Sequence, residues 1–416
     1  MLLQLLLYVA LWTGTFLHAY QSVPAVCIVP VADLLTAPMA TYRLNSDTKQ
    51  AYKEIPLSWV ETKRVCPRDH QLLFNEIVNI IDENEDEYCL EIPQSFYETP
   101  TEEFPHFTYW TLKSNISKLT DLLPSALLTI PLPISWAKQN IEDANQNVVT
   151  LKFPYYDATT NKTYSAGTRF SSAHARAQTR VIVSLIDDPS GDKKTTRIAT
   201  SNCACHADES DLETYKPSTE KIHDFVNLLR AWANRAEGYI PVVWGGCSFI
   251  HTYNDAIKIS EQPTTTLEGT TLAYWASTHQ TAGVHTGFDA SALILRAAQI
   301  CDMPYYYKNT LTAERHLQQL APSDTLSEGD LIWIPGNLAV VSDVAENKVI
   351  ALLGYWSGYG RVFETTVDKL FDSITTLDQL RQAALTKEKL TLVTLNDKTL
   401  DISTMKFLRM ESIWEQ

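Results

Sequence analysis

The first turn of a helix suits a nucleophile, because the free backbone N–H groups and the helix dipole there stabilise an anion. One stretch of this 416-residue chain opens such a helix: Ala290, Leu293, Ile294, Ala297, Ala298 and Cys301 recur at helical spacing and line one apolar face, with Asp289 as the natural N-cap. A thiol in that first turn would have its thiolate favoured, and a nearby imidazole would complete its activation. The chain instead places Ala290 there, which supplies no chemistry, and Ser291, whose hydroxyl would need a general base. The last histidine is His316, so no imidazole follows it in the sequence to serve as that base.

Two other clusters carry reactive residue types. Cys247 is followed closely by His251, a pair that would act as a relocated nucleophile and base if the fold brought them within ~3 Å. Cys203-Ala204-Cys205-His206 has the residue types of a metal site, but a structural zinc site takes two such pairs, and no second pair follows. No metal and no cofactor is expected. The seven cysteines are odd in number and irregularly spaced, which is not a small-domain disulfide framework; pairing among Cys27, Cys66 and Cys89 stays open in an oxidising compartment.

The composition is globular, with 45% hydrophobic and 20% charged residues, and the length implies two to four domains. A net charge of −15 argues against nucleic acid as a partner and is compatible with a peptide bearing a free amine. Leu2 to Leu17 are almost wholly apolar and Ala19 offers a cleavage point, so residues 1–20 read as an export signal. The protein is then periplasmic or extracellular, or membrane-anchored if that segment is retained.

The elements around the reactive positions come next. Ile222, Phe225, Val226, Leu228, Leu229, Trp232 and Ala233 have helical spacing and lead into Tyr239-Ile240-Pro241-Val242-Val243-Trp244-Gly245-Gly246. Glu328-Gly329-Asp330-Leu331-Ile332-Trp333 and Gly336-Asn337-Leu338-Ala339-Val340-Val341 read as strands behind the helix. With Gly287-Phe288-Asp289-Ala290-Ser291-Ala292-Leu293-Ile294 between them, these motifs resemble the NlpC family of papain-like bacterial cell-wall peptidases over roughly residues 223–375. The front half is similar to bacterial SH3-like domains. Val29 to Pro38 looks like an opening strand, 71–81 like the second strand, and Tyr88 to Ile92 and Phe107 to Leu112 like later ones. Tyr164 to Phe170, continued by Arg176 to Val183, resembles a second such domain.

The resemblance implies an α+β protein: two all-β SH3-like barrels at 23–125 and 146–205, then a papain-like domain at 220–375 in which a helix packs on an antiparallel sheet. A long insert occupies 247–286 and a C-terminal extension 376–416. It also implies hydrolysis of the γ-D-glutamyl to diamino-acid bond of peptidoglycan peptides by a cysteine. That cysteine falls on Ala290, the histidine base on Asn337, or on Leu338 if the register slips by one, and the third polar residue near Ala351. None of these side chains can perform the family's chemistry. Peptide contacts are expected from Asp289, Ser291, Trp244, Tyr109 and the aromatic loop containing Tyr355 and Trp356. The acidic run 82–87 is either a solvated turn or a source of the carboxylate that holds a peptide amine. The expected function is binding of a stem peptide or muropeptide, or of a protein partner, without catalysis. A hydrolase using Cys247 and a structural scaffold with SH3-like domains are the alternatives.

Overall fold

The computed structural model describes residues 22–56, 66–101, 105–122, 127, 130–131, 148–158, 160–177, 180–186, 193–199, 203–205, 218–236, 238–250, 284–354, 357–395 and 399–415. The export-signal segment, most of the 120–145 linker, most of the insert, and Tyr355 and Trp356 lie outside these residues.

Short apolar runs broken by Pro, Asn and Asp become strands. The first group is β1 (Val23–Cys27), β2 (Val31–Leu35), helix α1 (Thr48–Lys53), β3 (Arg68–Leu73), β4 (Ile77–Glu83), β5 (Glu87–Glu91), β6 (Thr108–Leu112) and β7 (Ile116–Lys118). These strands form one seven-stranded sheet in the order β3-β2-β6-β5-β4-β1-β7. Its strand pairs are all antiparallel, and alternation along the strands buries Ala32, Leu34, Leu72, Val78, Ile80, Leu90 and Tyr109 in one core. The stretch 71–81, expected as one strand, is split by a turn into parts of β3 and β4, which pair with different neighbours: β3 with β2, and β4 with β1 and β5. Asn75 takes a left-handed φ of 70°, which Asn tolerates, and Glu76 closes the turn by accepting from the Leu73 N–H at 2.8 Å.

The second group is β8 (Val148–Leu151), β9 (Tyr155–Asp157), β10 (Lys162–Tyr164), β11 (Arg169–Ala177), β12 (Arg180–Ile186), β13 (Lys193–Ala199) and β14 (Cys203–Cys205). β9 and β10 form a hairpin, and the others form a sheet ordered β13-β12-β11-β8-β14. Among the described residues no sheet closes into a barrel, so the two SH3-like barrels expected from the sequence are open antiparallel sheets. The two groups share a core, in which Tyr164 and Phe170 pack against Phe74 with ring centroids 5.0 and 6.2 Å away.

The rest is helix packed on antiparallel sheet: α2 (Ser218–Ala233), β15 (Cys247–Ser248), β16 (Gly287–Phe288), α3 (Ala290–Ile300), α4 (Thr310–His316), β17 (Leu331–Ile334), β18 (Asn337–Asp343), β19 (Lys348–Leu353), β20 (Arg361–Thr366), α5 (Leu377–Thr386), β21 (Leu390–Val393), β22 (Thr399–Ile402) and β23 (Lys406–Leu408). The main sheet is ordered β20-β19-β18-β17-β23. The pleat sorts its residues by face. Leu331, Leu338, Val340, Ile350, Leu352 and Val362 pack against α2 and α3, whereas Ile332, Val341, Val349, Ala351, Leu353 and Phe363 pack against α5 and the β21–β22 hairpin. The C-terminal extension is therefore a layer of this domain. Its last strand, β23, completes the sheet by pairing Leu408 with Leu331, a role that the local sequence does not announce.

Candidate active site

Helix α3 starts as its sequence requires. Asp289 has extended backbone and its Oδ1 accepts from the Ala292 N–H at 2.7 Å, satisfying a donor that the first turn leaves free. Just before it, β16 pairs with β15, so Cys247 and Ser248, the first residues of the expected insert, belong to the site's own strand pair. The Trp244-Gly245-Gly246 turn is forced to glycine by close backbone approach. A Cβ on Gly246 would lie 2.5 Å from the Gly287 carbonyl oxygen, and one on Gly245, at φ +65°, 2.5 Å from that of Arg68.

Strand β3 of the front sheet clamps this turn. Arg68 is buried, with Nε on Asp33 at 2.8 Å and Nη1 on the Trp244 carbonyl at 3.2 Å. Gln71 uses its whole amide: Nε2 donates to Asp33 (2.8 Å) and to the His285 carbonyl (2.7 Å), while Oε1 accepts from the Cys247 N–H (3.0 Å) and the Ser248 hydroxyl (2.6 Å). A second seam joins Glu76 to the buried Arg296 of α3 at 2.6 Å. A third pairs Phe96 with Tyr307 and sets Glu98 against Arg315 and His316, each at 2.8 Å.

Charges converge at the start of α3. The Lys308 ammonium, buried, sits 3.4 Å from Asp289 Oδ2. Burial pulls the Lys308 pKa down, but the carboxylates of Asp289 and Asp69 outweigh it, so the group is held above its ordinary value. Burial raises the Asp69 carboxyl; Lys308 opposes that shift and Asp289 adds to it, and Asp69 Oδ2 is inaccessible with no hydrogen-bond partner among the described residues. His70, next in the strand, is pushed well below its usual value by burial and by the positive charges of Lys308 and Arg296, so it is a neutral ring. His285 is pulled down to about 3 by burial and Arg68. Both imidazoles thus stay uncharged at neutral pH. Asp69, His70, Gln71 and Lys308 carry no motif that sequence reading could single out, because the front sheet or a loop brings each to the site.

The expected contacts have varied surroundings. Trp244 is 47% exposed and forms a rim beside the turn. Ser291 is buried, with Oγ 2.9 Å from Asp289 Oδ1 and 2.7 Å from the Lys308 carbonyl, both acceptors for its one proton. Tyr109 is fully buried and donates to the Ser95 carbonyl at 2.8 Å, so its hydroxyl serves the front sheet and not an open rim. In the aromatic loop, Tyr359 is buried and stacks on Phe363 at 3.9 Å. The acidic run lies at the β4–β5 turn, where Glu87 is buried and accepts from Tyr52 (2.9 Å) and Asn84 (2.9 Å).

Ala290 is 9% exposed at the helix start. The sheet side chains that face α3 are Leu338, Val340, Ile350 and Leu352. The pleat thus makes Leu338, not Asn337, the residue aimed at the helix, while Asn337 donates to the Leu352 carbonyl at 3.0 Å and Ala351 faces α5. Cys247 is wholly buried; burial pushes its thiol up, only partly opposed by Arg296, and its sulfur lies 4.0 Å from the Ala292 carbonyl oxygen. His251 is outside the described residues. No disulfide joins Cys27, Cys66 and Cys89, and the Cys66 thiol donates to the Pro56 carbonyl at 3.4 Å. Among the described residues no group of three or more His, Cys, Asp or Glu side chains is placed to hold a metal, and no helix is long and apolar enough to cross a membrane.

No family model and no curated protein matches the chain. Solved structures do. The chain is similar to an NlpC/P60 family protein from Bacillus cereus, at 14% identity and a TM-score of 0.48 over 83% of this chain and 94% of that one. It is also similar to two proteins of Trichomonas vaginalis, NlpC2 (10% identity, TM-score 0.29, 84% of this chain and 94% of that one) and NlpC1 (10%, 0.28, 86% and 92%).

Proposed function

We propose that this chain is a non-catalytic relative of the NlpC-type cell-wall peptidases that binds a peptidoglycan stem peptide at the Trp244 rim beside α3. One observation carries the loss of catalysis: the nucleophile position is Ala290, and the sheet face opposite it presents Leu338, Val340, Ile350 and Leu352, none of which can take a proton. Ser291 does not replace the nucleophile, since its hydroxyl is already engaged by two oxygen acceptors. The three motifs in family order support the peptide class of ligand. The exposed Trp244 ring supplies an apolar face, and Asp289 remains 21% exposed in its side chain for a peptide amine. The same reading makes the protein an exported one, with its N-terminal segment as the signal and the two front sheets as SH3-like modules.

The competing hydrolase reading needs an activated Cys247, and a thiol raised by burial is the reverse of an activated one. The test is calorimetry of L-Ala-γ-D-Glu-diaminopimelate and of longer muropeptides against the full chain, with mass spectrometry of the same samples. Saturable heat without cleavage is the expected result. Cleavage would overturn the non-catalytic reading, and neither heat nor cleavage would leave a structural scaffold.

A further inference from the structure

Two asparagines of the chain open the triplet Asn-x-Ser/Thr that a glycosylating transferase reads: Asn115-Ile116-Ser117 and Asn161-Lys162-Thr163. The motif is short and arises often by chance, so the fold has to say whether either side chain can carry a sugar. It treats the two differently. Asn115 is half-buried, its Nδ2 donates to the Thr111 hydroxyl at 3.1 Å, and its carbonyl accepts from the Ile28 N–H at 3.0 Å. Ile116, the middle residue of that triplet, is buried in the core of the front sheet.

Asn161 stands at the tip of the β9–β10 hairpin. Asp157 fixes the turn, its Oδ2 accepting from the Thr160 N–H at 3.1 Å and from the Thr160 hydroxyl at 2.7 Å. Asn161 takes a left-handed φ of 52°, which asparagine tolerates in a turn. It is exposed, its Oδ1 accepts from the Tyr156 hydroxyl at 2.9 Å, and no hydrogen bond engages its Nδ2 among the described residues. The carboxamide therefore has its oxygen anchored and its nitrogen available. The strand register sets Thr163 directly across from Tyr156, so both recognition residues of the triplet lie beside one tyrosine. That tyrosine is 57% exposed, the most exposed large hydrophobic side chain among the described residues. Its ring offers an apolar platform for the C–H face of a pyranose.

We propose that Asn161 carries an N-linked glycan whose first N-acetylhexosamine packs on the Tyr156 ring. The inference rests on the export reading, because the sugar donor, a polyprenyl-diphosphate oligosaccharide, is met in the secretory lumen. In the transfer, Asn161 Nδ2 attacks C1 of the first sugar and forms the N–C1 bond. The C1–O bond to the diphosphate breaks, the polyprenyl diphosphate leaves with the bonding electrons, and the nitrogen gives up one proton to a base of the transferase. No residue of the peptide-binding reading takes part.

The full chain is expressed in a eukaryotic secretory cell in two forms, one with its own residues 1–20 and one with these replaced by a secretion signal of proven function. Peptide mass spectrometry reads the glycan, and enzymatic removal in heavy-oxygen water marks the asparagine that held it. A glycan on Asn161 is expected in both forms, with its loss in Asn161→Gln and lower occupancy at Asn115. Amide hydrogen exchange of residues 155–164 then tests the platform. Exchange should be slower with the glycan than after its removal, and Tyr156→Ala should abolish that difference while leaving the exchange of the front sheet unchanged. An unmodified Asn161 in the form with the grafted signal overturns the inference and leaves the export reading standing. A glycan in that form alone overturns the export reading, and the modification with it. Equal exchange with and without the glycan overturns the role of Tyr156.

Discussion

Lys308 and Arg381 are both buried cations in the C-terminal half of the chain, and their surroundings differ in kind. Lys308 has the carboxylate of Asp289 at 3.4 Å and feels that of Asp69 from the front sheet, so its charge is balanced within the protein. Arg381 has two carbonyl oxygens and no carboxylate among the described residues. The buried cation at the start of α3 is therefore balanced by carboxylates from two segments, whereas Arg381 is held by main-chain carbonyls alone among the described residues.

The sharpest way to break this comparison is to remove the cations in turn. Lys308→Met leaves Asp289 and Asp69 without their buried counter-charge, and should cost about 3–5 kcal/mol in urea unfolding. Arg381→Met removes two hydrogen bonds but also an unbalanced buried charge, and should cost only about 1–2 kcal/mol. Equal losses would mean that Arg381 is compensated after all.

The seam that delivers Asp69 can be strained directly. Gly245→Ala places a Cβ 2.5 Å from the Arg68 carbonyl oxygen at φ +65°, backbone against atom with no flexible end to yield. A loss of about 1–3 kcal/mol is expected. Gly336→Ala, at φ +81° with no atom within 4 Å of the added Cβ, should cost less, about 1 kcal/mol.

Acidity separates the two regions next. The Asp69 carboxyl is raised in the folded state by burial first and Asp289 second, with Lys308 opposing. The folded protein therefore holds this proton at a pH where the unfolded chain has lost it. The corresponding stability is fully present below the ordinary aspartate value of about 4, and is lost as pH rises through the folded value. Urea midpoints measured from about pH 3 to 8 should show this fall in the wild type relative to Asp69→Asn. Arg381→Met removes no carboxyl group from the Asp69 site and should leave the slope unchanged. The smallest expected effect is chemical: native Cys247 should react with iodoacetamide at least about tenfold more slowly than free cysteine, and normally once unfolded in urea. Fast native labelling would restore the hydrolase reading.

Much of α3 is legible in the sequence. Its apolar spacing, the Asp289 cap and the empty Ala290 position all follow from residues within two turns of one another. The strands Tyr88 to Ile92 and Phe107 to Leu112 are similarly local, and they emerge as β5 and β6. Asn337 and Leu338 mark where this legibility ends. Motif alignment leaves one residue of uncertainty, and in a strand one residue is the difference between the helix-facing and outer faces. The packed sheet distinguishes the two faces, burying Leu338 in the cluster that contains α3 while Asn337 donates to the Leu352 carbonyl.

What the sequence determined by itself was local: where helical periodicity begins and ends, which turns need glycine, and which residue types stand in the first turn of α3. Tertiary structure alone decided that Asp69 would face Lys308, that β23 would complete the sheet, that Tyr109 would be buried, and that Arg381 would lose its water without gaining a counter-ion. The physical reason is range. Helix caps and pleats depend on neighbours a few residues away, whereas desolvation and Coulomb energy depend on which distant segments the fold brings together, and no spacing in the chain encodes that.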